Sequence, residues 1–199
     1  TEAANQFKQN GQRTLRIKAL IAVTEILFLA DENYEAKKLA TTILQLTSRK
    51  DTLAASAFHL LGEVEFNDAL FKNALNYFEK ALSIQKEKLP ENHPDIAKSL
   101  LAIGITQSQL GQINLAFENI HTALNINNLA FGEEHPATAE TLGALGTIYS
   151  IQGEDDRATE TIQKAIDIFK KEKNEEQKIV VELYFQLGNA FANKGNYDL

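Results

Sequence analysis

Glycine stands at positions 62, 104, 146 and 188, each 42 residues after the last. The same interval separates Ala74, Ala116 and Ala158, then Ala81, Ala123 and Ala165, then Gly111, Gly153 and Gly195, and it brings His93-Pro94 back as His135-Pro136. A period of this size marks an array of one supersecondary unit, which buries its apolar face only by stacking on its neighbours. Each period holds two amphipathic stretches around a short glycine-bearing break, as in Pro94 to Leu110 and Ile113 to Leu129, the pattern of a helix hairpin. Small residues such as Gly104 and Ala116 let two helix backbones approach closely, while Leu100, Ile103 and Ile120 fill the space beside them. Gly111 takes the left-handed conformation that stops a first helix, and proline after His93 and His135 suits the first turn of the next.

Composition narrows the function classes. Helix formers dominate and the net charge of −7 is spread in mixed-sign clusters with no basic stripe to neutralise phosphates, which argues against nucleic acid and against an anionic membrane surface. No apolar run approaches the roughly 20 residues needed to span a bilayer. With no cysteine there is no disulfide framework and no Cys-ligated metal site, and a reducing, cytoplasmic setting is the expectation. Methionine is absent even at position 1 and the N-terminus has no signal pattern, so the chain is expected to be an excised piece of a longer protein.

Tyr184, Leu187-Gly188, Phe191, Gly195 and Tyr197 reproduce the aromatic, Leu-Gly, aromatic, Gly and aromatic columns of the tetratricopeptide repeat, which the chain resembles over nearly its whole length. The 42-residue period, with Phe131-Gly132-Glu133-Glu134-His135-Pro136 between units, resembles the kinesin-light-chain subclass. The resemblance implies an all-α, right-handed superhelical solenoid of antiparallel helix pairs. Helix hairpins are expected to break near Asn33, Ala69, Gly111, Gly153 and Gly195. The units are read as about 13–54, 55–96, 97–138, 139–180 and a truncated 181–199, with residues 1–12 as the tail of a preceding helix ending near Gly11. A 38-residue step from Ala36 to Ala74 sets off the first unit, and both ends lack a polar cap, which leaves room for self-association through the solenoid ends.

In this family ligands lie in the concave groove lined by the first helix of each pair. Aligned on the glycine columns, that groove takes Ile21, Glu25 and Phe28, then His59, Glu63 and Phe66, then Leu101, Ile105 and Ser108, then Gly143, Thr147 and Ser150, and finally Phe185, Asn189 and Ala192. Leu101, Ile105 and Phe185 are expected to be partly exposed there, with Leu100, Ile103 and Tyr184 buried between helices. The Lys, Asn and Arg clamp with which co-chaperones of the family grip a terminal carboxylate is absent, and Glu25 and Glu63 would repel one. The paired asparagines of kinesin light chains are replaced by His59-Leu60, Leu101-Ala102, Gly143-Ala144 and Phe185-Gln186.

Four histidines invite a metal hypothesis, but none has an i, i+4 histidine or a cysteine partner, and His93 and His135 read as junction residues. No nucleophile-base arrangement and no phosphate-cradling glycine loop is recognisable, so neither an enzyme nor a cofactor is expected. The leading expectation is a module that binds a protein or peptide. The competing one is a regulatory or sensor segment of a larger protein that binds a ligand or another domain of its own chain.

Overall fold

In a computed structural model that describes residues 2–48, 51–171, 177–193 and 195, the chain is an all-α helical repeat solenoid. The described residues form nine helices and no strand: α1 (Glu2–Leu29), α2 (Asn33–Leu46), α3 (Thr52–Asn67), α4 (Phe71–Lys88), α5 (Pro94–Gln109), α6 (Ile113–Phe131), α7 (Pro136–Ile151), α8 (Asp155–Lys171) and α9 (Gln177–Asn193). They divide into two compact units, residues 1–90 and 91–199. Within each, consecutive helices pack as antiparallel hairpins, most extensively α3 with α4, α5 with α6 and α7 with α8.

One joint recurs in every hairpin. Asp31, Ala69, Gly111, Gly153 and Gly195 have φ of 62°, 57°, 74°, 75° and 75°, each just past the end of a first helix. The left-handed residue turns its own N–H back to the helix, as from Gly111 to the Ser108 carbonyl at 3.0 Å, and the next N–H reaches one turn further, as from Gln112 to the Gln107 carbonyl at 2.9 Å. Two carbonyls that would otherwise lack a donor are thereby satisfied. The starts of three first helices are equally regular. Asp51, His93 and His135 stand 42 residues apart, and each side chain accepts a hydrogen bond from the backbone N–H two residues on, at 3.0, 3.1 and 3.1 Å.

The small columns do what their size implies. A Cβ added at Gly104 would lie 2.5 Å from Ile120 Cγ1 and 3.0 Å from the Ala116 carbonyl, and one added at Gly146 would strike Ile162. At Gly62 the obstacle is the Phe78 ring, at 2.5 Å. Ala116, Ala158, Ile120 and Ile162 are fully buried at these crossings, so the close approach excludes water from the two isoleucine side chains, worth roughly 1.5–3 kcal/mol each in apolar transfer.

Gly11 departs from the sequence reading. α1 runs through it without interruption, so residues 2–12 continue the first helix and are not the tail of a separate one. A helical glycine costs only about 1 kcal/mol relative to alanine, and the good helix formers around Gly11 outweigh that.

Candidate functional site

The first helix of a hairpin packs on its own second helix and on helices of adjacent hairpins, and it keeps an open side. In the second unit α5 packs on α6 and on α7, and α7 packs on α8 and on α9. The contact between successive first helices is close enough that a Cβ on Gly143 of α7 would strike the Leu183 side chain of α9. This seam accounts for a correction: Leu101, one period before Gly143, is only 6% exposed and is not on an open face. Helical period places Leu101 away from α6, but that side of α5 also carries the contact with α7.

His59 and Phe185 stand in the same column. His59 is 5% exposed, with its ring 5.1 Å from Phe78 and its Nε2 3.4 Å from the Glu63 carboxylate. Phe185 is 64% exposed, as expected, because no described helix follows α9. Tyr184 was expected to be buried like Leu100 and Ile103, which are 4% and 3% exposed, yet it is 45% exposed for the same reason. Its ring lies 5.4 Å from the Lys170 ammonium instead.

What remains open is a stripe shifted by part of a turn from the expected one. On α5 it carries Lys98, Ala102, Ile105 and Gln109; on α7, Glu140, Ala144, Thr147 and Ile151; on α9, Glu182, Gln186, Asn189 and Asn193, all half-buried or exposed. The spacing of 4, 3 and 4 residues keeps each set on one helix face. Ile105, Thr147 and Asn189 of the expected site lie on this stripe. Ser108 and Ser150 are half-buried at its edge, where Asn193 Nδ2 donates to Ser150 Oγ at 3.3 Å. In the first unit Glu63 and Asn67 of α3 and exposed Glu25 of α1 hold the corresponding places, Phe28 is half-buried, and Phe66 packs edge-on against Phe71 at 5.2 Å. Lys98, Ala102, Glu140 and Ala144 also lie on this open face and were not among the expected residues, although the 42-residue repetition of Ala102 as Ala144 beside Ile105 and Thr147 was a usable signal.

Elsewhere the first unit buries a charge. Glu65 is 3% exposed, and its carboxylate receives the Lys37 ammonium of α2 at 2.5 Å and the Asn73 amide of α4 at 2.9 Å. Burial pushes the Glu65 carboxyl up, but the hydrogen bonds from Lys37 and Asn73 and the Lys37 charge outweigh it and leave the group below its ordinary value. The hydrogen bond to Glu65 raises Lys37 in turn. No cluster of three or more His, Asp or Glu suited to a metal occurs among the described residues, and no described helix is long and apolar enough to cross a membrane.

The sequence profile of the tetratricopeptide repeat matches residues 53–119 and 108–171, more than half of the chain. The chain belongs to the tetratricopeptide-repeat family. No curated protein matches it in sequence. Among solved structures this tetratricopeptide chain is similar to BtubC (BKLC) from P. vanneervenii, at 20% identity and a TM-score of 0.78 over 98% of this chain and 80% of that one. It is also similar to a kinesin light chain-type protein of Podosopora anserina with nearly identical TPR-like repeats, at 18% identity and a TM-score of 0.71 over 92% and 88%. YrrB, described as a TPR protein with an unusual peptide-binding site, aligns at 20% identity with a TM-score of 0.54 over 90% and 78%. The fold is therefore of the kinesin-light-chain-like kind, and repeats of this family typically serve as non-enzymatic interaction scaffolds.

Proposed function

We propose that this chain is a protein-interaction module that holds a peptide or an extended segment of a protein along the open stripe of its first helices, the groove that the family resemblance anticipates. The observation that carries the reading is the recurrence of one uncovered face on α5, α7 and α9, while the opposite side of each of these helices is closed by packing. Apolar Ala102, Ile105 and Ala144 lie along it, with Lys98, Glu140 and Glu182 at one end. Such a surface suits a partner with an apolar centre and mixed charge better than a terminal carboxylate. The peptide-binding site named for YrrB supports the class of ligand, not its sequence.

The test begins with a partner captured from the source cell and identified by mass spectrometry. Ala102→Asp and Ile105→Asp introduce a charge that the bound partner must desolvate, and each is expected to weaken binding about tenfold or more with helicity and melting temperature near wild type. Leu101→Asp, one residue away but buried in the α5–α7 seam, is expected to unfold the second unit. Full affinity in both stripe variants would overturn the reading.

A further inference from the structure

The His-Pro pair that returns at 93 and 135 plays no part in the stripe on α5, α7 and α9. It stands at the junctions between hairpins. Proline at the first helical position has no N–H, so the first amide that needs an acceptor is that of the residue after it. At both junctions the acceptor is imidazole: the Asp95 N–H donates to His93 Nδ1 and the Ala137 N–H to His135 Nδ1, each at 3.1 Å. Before α3 the acceptor is the Asp51 carboxylate, 3.0 Å from the Leu53 N–H. Three caps share one geometry and differ in chemistry. A carboxylate stays an acceptor throughout the range in which imidazole titrates, whereas Nδ1 accepts only while it carries no proton of its own.

The two imidazoles have different surroundings. Beside His93 stands the Asp95 carboxylate, 3.7 Å from Nδ1 and able to receive a ring proton. On α7 Ala137 takes the place of Asp95 and has nothing to receive one. From α8, Lys164 and Lys171 reach the connection before α7, but they engage Glu133 and Glu134 at 2.9 and 2.7 Å. From α6 the neighbour is the uncharged Phe131 ring, stacked on His135 with centroids 4.3 Å apart. Among the described residues no carboxylate forms an ion pair with His135. The stack on Phe131 favours a charged ring, and the N-terminus of α7 opposes one. Whichever is larger, a protonated Nδ1 sets two N–H groups against each other across 3.1 Å, and the cap is lost.

We infer that the junction before α7 is a proton-responsive fastening of the array. Neutral His135 ties the connection of residues 132–135 to the first turn of α7, and protonated His135 releases it. The Thr138 and Ala139 N–H groups stay on the His135 carbonyl, at 2.9 and 3.0 Å, so the helix persists and the change is confined to the connection. The fastening is complete where the ring is neutral and is lost as pH falls through the range in which imidazole takes up a proton. The Asp51 cap of α3 holds through that range.

The experiment is hydrogen exchange of the full chain by NMR at about pH 8 and about pH 5.5, each amide referred to its intrinsic rate. Protection of the Ala137 amide is expected to fall about fivefold, the fold-change that corresponds to a typical cap. Leu53 and Thr138 are expected to change by less than about twofold. His135→Asn supplies a cap that does not titrate, and His135→Asp copies the Asp51 cap. In each of these variants Ala137 is expected to be protected equally at both pH values. Equal protection of Ala137 at both pH values in the wild type overturns the inference. So does a response that persists in both variants, or one in which Leu53 falls together with Ala137.

Discussion

Lys37, Glu65 and Asn73 of the first unit occupy the same three repeat positions as Phe117, Tyr149 and Arg157 of the second. In both units the trio joins the second helix of one hairpin to both helices of the next, beside the left-handed joint. In the first it is a buried carboxylate held at 2.5 Å by an ammonium and at 2.9 Å by an amide. In the second the Phe117 and Tyr149 rings lie 5.9 Å apart and the Arg157 guanidinium sits 4.8 Å above the Tyr149 ring. The repeat prescribes that three side chains must fill this corner, and it leaves their chemistry to be settled locally, provided all three agree. A carboxylate at position 149 would have no ammonium at 117 to receive it.

The largest effect separating the two corners is expected from Lys37→Ala. Removing one partner of a fully buried pair costs about 3–5 kcal/mol. The Lys37 side chain is 43% exposed, however, so water screens the pair and partly replaces the ammonium, and about 2 kcal/mol is expected. Hydrogen exchange of the α3 amides reads it locally, and a loss confined to the second unit would break the comparison. Phe117→Ala should cost about 1 kcal/mol, since its ring is half-buried and contributes by area and ring packing. Raising the salt concentration should shrink the Lys37→Ala penalty and leave that of Phe117→Ala unchanged, and equal responses would show that the ion pair does not act as one.

A smaller effect sharpens the contrast on the pH axis. The folded-state value of Glu65 is lowered, so its contribution is complete above the unfolded value of about 4.3 and is lost as pH falls through the folded one. Lys37 is raised, so its contribution is complete below its unfolded value and is lost as pH rises through the folded one. Glu65→Gln should flatten the first unit's stability at the acid edge while the aromatic corner stays indifferent there. Identical acid melting of wild type and Glu65→Gln would remove Glu65 from the account.

Periodicity made most of the fold legible. Glycine and alanine columns located the hairpins and the crossings at Gly62, Gly104 and Gly146, because each crossing is a local steric demand that only a small residue meets, whereas the left-handed joint also accepts Asp31. The candidate site was legible only in part. Ile105 is half-buried, in keeping with the partial exposure expected of it, whereas Leu101 is buried, since the helical period of one helix says nothing about the approach of the next first helix. The bare Gly143 in that column was the available sign, as a missing side chain implies a close neighbour, here Leu183.

The joint at Ala69 shows what a stacked array can absorb. Its φ of 57° places an alanine methyl where glycine stands in three of the other joints, at a strain on the order of 1 kcal/mol. Stacking on the neighbouring hairpins supplies the stability that carries this strain in the folded chain, a reserve that a solitary hairpin lacks.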